Sequence, residues 1–183
     1  MKITLKSLRA LSPCKEGYEW CHKNFKACKN DLATVLRSLH NNGHSDWANW
    51  LIVRHMTNDQ KVMYAIFSAE QVIDIFEKKY PADGRPRKEI ETAKKYLKTK
   101  SSAAAAAARS AYDAYGAYDA AVYAADAAAY AADAAYADAD AAAAYAAAYA
   151  ADAAYAAADA AAKVEMQKRI LEYGISLIEK EVQ

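Results

Sequence analysis

Residues 102–162 read SAAAAAARS AYDAYGAYDA AVYAADAAAY AADAAYADAD AAAAYAAAYA ADAAYAAADA AA. Between Arg109 and Lys163 there is no Lys or Arg, the stretch holds no Pro, and Gly116 is its one glycine. Alanine has the highest helix propensity and loses no side-chain entropy on ordering, so this tract is read as helical. As one rod continuing to Lys180 it would be about 120 Å long at ~1.5 Å per residue. A compact domain of this chain length has a radius of gyration of about 16 Å. Alanine buries little surface, and helices depend on packing for stability, so a tract folded into two or more helices against the rest of the chain is favoured over the rod.

The aspartates suggest where it bends. Asp119, Asp126, Asp133 and Asp140 repeat every seven residues, whereas Asp138, Asp152 and Asp159 follow the same repeat in another phase. A change of phase marks a stutter or a corner. A corner is expected between Tyr136 and Ala144, with Asp138 or Asp140 capping the returning helix. Gly116 is a second candidate corner. The tyrosines are read as packing between close alanine faces, and the aspartates as the solvated stripe.

The flanking sequence is also helical in pattern. Ser12-Pro13 reads as a helix start, Asn30 as a cap before Leu32, Val35, Leu36 and Leu39, and Asn41-Asn42-Gly43 as a stop. Ser45 is expected to cap a further helix, and Thr57 with Gln60 forms a capping box. Val62 to Phe76 reads as one periodic helix ending near Tyr80-Pro81. Asp83-Gly84 makes a turn and Arg85-Pro86 opens the next helix. After the tract, Met166, Ile170, Leu171, Ile175 and Ile178 form one apolar face. No alternating strand pattern occurs. The expected fold is all-α: a multi-helix bundle with the alanine-rich tract folded back on it. Its divisions are an N-terminal helical region 1–101, the tract 102–162 and a C-terminal amphipathic helix 163–183, together one domain.

The formal net charge is +1, but eight aspartates sit in the tract against Arg109 alone, so the remainder is basic. Regularly spaced aspartates argue against a membrane span, at about 2.5–3.5 kcal/mol each in hydrocarbon. Met1 to Ser7 has no apolar run of the signal-peptide kind. The three cysteines are an odd number without a CxxC, which points to buried, reduced thiols in a cytoplasmic protein. Cys14, Cys21 and Cys28 are too far apart along a helix to converge on zinc, so no metal or cofactor is expected. His40 and His44 flank the glycine turn and are expected to be exposed.

No phosphate loop, HExxH or nucleophile elbow occurs, so the chain is not read as an enzyme. The candidate ligand- or partner-binding residues are Arg54, Arg85, Arg87, Lys88, Trp47 and Trp50. Guanidinium groups near a helix start can hold a carboxylate or phosphate, or can pair with Glu70, Glu77 or Asp83 to fix the corner. Trp47 and Trp50, three apart, either line a pocket or pack in the core.

Trp47-Ala48-Asn49-Trp50-Leu51, Tyr64-Ala65-Ile66, Ala69-Glu70-Gln71-Val72, Phe76-Glu77 and Tyr80-Pro81-Ala82-Asp83-Gly84-Arg85-Pro86-Arg87 resemble a family of immunity proteins of bacterial and tailed-phage genomes. Its members also carry an alanine-rich segment before a terminal helix, here Glu165-Met166-Gln167 to Leu171-Glu172-Tyr173-Gly174. The chain departs from the family at Gly84, where an acidic residue is usual. The resemblance implies a small cytoplasmic helical protein that neutralises a protein partner, a toxin or a defence factor. The alternatives are a sponge for a small anionic nucleotide-like molecule, held by Arg85, Arg87 and aromatic rings, and an acidic-stripe DNA mimic. The aspartates are sparse for the mimic, since duplex DNA carries one charge per ~1.7 Å of axis. Nucleic acid and membrane are therefore not expected as partners, and a homo-oligomer remains open.

Overall fold

Thr57 and Gln60 form a reciprocal capping box: the Thr57 hydroxyl accepts from the Gln60 amide, and Gln60 Oε1 accepts from the Thr57 amide at 2.8 Å. This starts the helix Asn58–Glu70, on which the later helices pack. The computed structural model describes residues 1–24, 30–100, 139–157 and 160–180. Among them are nine helices: α1 Leu5–Ala10, α2 Lys15–Asn24, α3 Leu32–Asn41, α4 Ser45–Val53, α5 Asn58–Glu70, α6 Ile73–Lys79, α7 Arg85–Thr99, α8 Ala139–Ala157 and α9 Ala160–Lys180. No strand occurs among the described residues; Lys2 and Asp31 form one isolated antiparallel bridge. The fold is an all-α multi-helix bundle.

Several boundaries move from their sequence positions, each for a local reason. Ser12 has φ 54° and donates its amide to the Arg9 carbonyl, so it closes α1 instead of capping α2. Cys14 stands at the start of α2, its sulfur accepting from the Gly17 amide at 3.4 Å. Asn30 is also left-handed, at φ 54°, and Asp31 caps α3 by accepting from the Thr34 amide. The α3 stop is as read: Gly43 has φ 81°, and the Gly43 and His44 amides return to the His40 and Leu39 carbonyls in the Schellman pattern. Ser45 is the first residue of α4 and supplies no cap. The expected single helix from Val62 to Phe76 breaks at Gln71-Val72 into α5 and α6. Arg85-Pro86 does open α7.

α9 runs antiparallel to α5, and the approach is close enough to exclude side chains. Gln60 Nε2 donates to the Leu177 carbonyl at 2.8 Å, Tyr64 lies against Gly174, and Phe67 stacks on Tyr173 at 3.9 Å between centroids. A Cβ added to Gly174 would fall 2.6 Å from the Tyr64 ring and 2.8 Å from Ile52 Cδ1. Burial pushes the Tyr64 phenol pKa up, so it stays a donor, and it donates to Asn49 Oδ1 at 2.8 Å. That bond ties α5 to α4. Arg37 of α3 grips Glu172 of α9 with two bonds of 2.8 and 2.7 Å.

α8 packs on α5, α9 and α4. Its buried face is alanine: Ala142, Ala143, Ala146, Ala147, Ala150 and Ala153. Spacings of three and four make this one stripe. Tyr145 is 52% exposed, whereas Tyr149 packs half-buried against the core. The part of the expected corner window that is described, 139–144, is helix and contains Asp140, while 136–138 lie outside the described residues. α8 ends at Ala157 and α9 starts at Ala160; Lys163 of α9 reaches Asp152 of α8 at 2.6 Å. Gly116, Asp138, Asp159 and the remaining tract aspartates lie outside the described residues. Among the described residues no helix is long and apolar enough to cross a membrane.

Candidate functional site

α4 carries Trp47 and Trp50 three residues apart, so both leave the same side of the helix. Opposite them lies α2, where Gly17 and Cys21 are buried. Gly17 lets the α2 backbone approach the indole: a Cβ there would sit 3.6 Å from Trp47 Cδ2 and 3.2 Å from Cys14 Sγ. α1 and α3 supply Leu8 and Leu39, both almost fully buried. Between these elements is a cavity of about 240 Å³, completed by Pro13, Cys14, Asp46 and Leu51. Trp47 and Trp50 line this cavity and at the same time pack half-buried against the core.

Neighbouring rings hold the pocket walls. His44 stacks on Trp47 at 4.1 Å and 11°, and Trp20 meets His44 edge-on at 5.7 Å. The Arg54 guanidinium covers Trp50 at 4.1 Å from the ring and donates from Nη1 to the Trp50 carbonyl at 2.9 Å. Among the described residues Asp46 is the one charged lining residue. Its carboxylate is exposed and makes no hydrogen bond or ion pair among the described residues. The sequence singled out neither Asp46, Gly17 nor His44. His44 is half-buried in the aromatic stack, not exposed as expected. Cys21 is buried but Cys14 is exposed at the helix start, a correction to the reading of buried thiols; Cys28 lies outside the described residues.

His40 is buried, contrary to the sequence reading. Its Nδ1 lies 2.9 Å from Ser45 Oγ and joins α3 to α4 behind the pocket. Burial chiefly, with Lys168 in support, lowers its pKa below 6.5, against Glu172 and Glu165. The folded chain then binds fewer protons at this site than the unfolded chain. Stability is full at neutral pH and falls as pH drops below about 6.5, down to the depressed folded value. Urea midpoints at pH 7.5 and 5.5 should differ more for the wild type than for His40→Gln; equal differences would remove His40 as the cause.

The basic corner is a separate place. Arg85, Arg87 and Lys88 are exposed at the start of α7. Arg85 is paired with Asp83 at 2.5 Å. Arg87 is paired with Glu77, through Nε and, at 2.6 Å, through Nη2, and also approaches Asp74 at 3.5 Å. These guanidinium groups hold the Asp83 and Glu77 carboxyls below the usual carboxylate range. The arginines thus fix the α6–α7 corner and point at their own carboxylates. Glu70, the third expected partner, pairs with Lys94 instead, at 2.8 Å.

A family model described as the YdhT N-terminal domain matches residues 1–58. Comparison with curated proteins and with solved structures gives no match. Every residue lining the pocket falls inside the matched segment, as does Arg54, whereas the basic corner falls outside it.

Proposed function

We propose that this chain is a non-enzymatic interaction protein that binds and blocks a protein partner, of the immunity or phage anti-defence kind. The observation that carries this reading is the Trp47–Trp50 pocket. Its walls are apolar and aromatic, with arginine folded over one indole, and Trp and Arg are the side chains on which protein interfaces most often depend. At about 240 Å³ it is smaller than the 300–1,000 Å³ usual for small-molecule sites, and suits one anchoring side chain. The specific kind of partner rests on the immunity-family resemblance, whose Trp47 to Leu51 motif forms one wall of the pocket.

The nucleotide sponge has less support. Arg85 and Arg87 are already paired with carboxylates and stand outside the pocket. Among the described residues, the one charged residue lining the pocket is negative.

Affinity capture with the full chain from phage-infected host lysate tests the proposal. One stoichiometric protein is expected, and Trp47→Ala should weaken its capture about tenfold, a hot-spot effect. Thermal melting of the variant checks that it is folded. Purified chain carrying excess absorbance at the nucleobase band, with no captured protein, would overturn the proposal in favour of the sponge.

A further inference from the structure

We infer that the Trp47–Trp50 pocket receives a basic side chain, lysine or arginine, from the partner protein. This rests on the reading of the chain as an interaction protein and adds the chemistry of the anchor. Charge complementarity is the first argument. Among the described residues Asp46 is the one charged group lining the cavity, and none of them neutralises it. An apolar anchor seated over Asp46 would strip water from a carboxylate and return no bond to it. An acidic anchor would meet like charge. A basic anchor supplies both donor and countercharge.

The walls supply the second argument. The negative π-faces of tryptophan attract cations better than those of tyrosine or phenylalanine. Trp50 already has a guanidinium on its ring, that of Arg54, fixed in place by the Trp50 carbonyl. Arg54 stands on the Trp50 ring and is not among the residues lining the cavity, and none of the described lining residues is a cation. Leu8, Leu39 and Leu51 offer the apolar surface that the methylene stem of a lysine or arginine covers while its head stays at a wet, charged rim. The cavity volume suits such a side chain lying across it.

The protein contains its own reporter. It has three tryptophans; Trp47 and Trp50 line the cavity, and Trp20 is one ring away through His44. Titrating the full chain with N-acetyl-lysine amide and N-acetyl-arginine amide should give a saturable change in tryptophan emission. N-acetyl-norleucine amide, the neutral analogue, should bind about threefold more weakly or worse, as expected for loss of an exposed ion pair. Asp46→Asn should remove that preference, Asp46→Glu should keep it, and added salt should weaken the wild-type response to the cations.

Equal binding of norleucine, a preference that survives Asp46→Asn, or no saturable response to either cation would each overturn the inference. The lysate capture separates the two readings. A protein captured with undiminished yield by Asp46→Asn leaves the interaction proposal standing and defeats the basic anchor. A cation response without any captured protein leaves a cation-binding pocket standing but defeats the interaction proposal and, with it, a partner protein as the source of the cation.

Discussion

Gly174→Val is expected to cost about 3 kcal/mol of stability or more, the upper range for overpacking a filled core. The first added carbon would already overlap the Tyr64 ring at 2.6 Å and Ile52 at 2.8 Å. Ile52 Cδ1 is the tip of a flexible chain and can turn away. Tyr64 has no such freedom: it is fully buried and its hydroxyl is held by Asn49. Gly174→Ala should therefore also destabilise, by about 1–2 kcal/mol, although alanine gains ~1 kcal/mol in helix propensity. Guanidinium denaturation at neutral pH measures both. An alanine variant as stable as the wild type would mean that α9 slides away from α5 at little cost.

The consequence reaches the pocket. Asn49 sits between Trp47 and Trp50 on α4, and Tyr64 is its partner on α5. A displaced Tyr64 moves the helix that carries both indoles. The Gly174 variants should accordingly alter tryptophan emission well before the unfolding transition, whereas a defect confined to the α5–α9 seam would leave it unchanged.

What could be read in advance depended on how far apart the interacting groups lie in the chain. The Thr57–Gln60 box and the Gly43 stop involve partners within a few residues, and both were legible. Adjacent cap-competent residues were harder. Asn30 and Asp31 each suit the position, and only the left-handed backbone at Asn30 decides between them. The break at Gln71-Val72 left no mark, because apolar residues continue in register on both sides of it. In the alanine tract, composition made the helix of α8 legible. There the alanine methyl groups face inward, Tyr149 packs against the core as read, and Tyr145 faces water. The pocket was half visible: Trp47 and Trp50 share a helix face, but Gly17, Asp46 and His44 acquire meaning only when α2 meets α4.

Gln60→Ala is expected to cost about 2–3 kcal/mol, because one side chain serves two helix ends. Its Oε1 accepts from the Thr57 amide, closing the box at the start of α5. Loss of a cap is worth about 0.5–2 kcal/mol. Its Nε2 donates to the Leu177 carbonyl. That carbonyl belongs to the last described turn of α9. The bond is buried, and its loss costs about 0.5–1.5 kcal/mol. The two losses share one residue, so they need not add in full. Gln60→Glu separates them: the carboxylate keeps an acceptor for the Thr57 amide but turns an oxygen toward the Leu177 carbonyl. It should be as destabilising as Gln60→Ala at pH 7 and recover part of the loss near pH 4, where a protonated carboxyl can donate again. Urea midpoints for the two variants, each referred to the wild type at the same pH, decide the matter. If Gln60→Glu matches the wild type at pH 7, the bond to Leu177 contributes nothing and the capping box alone accounts for Gln60.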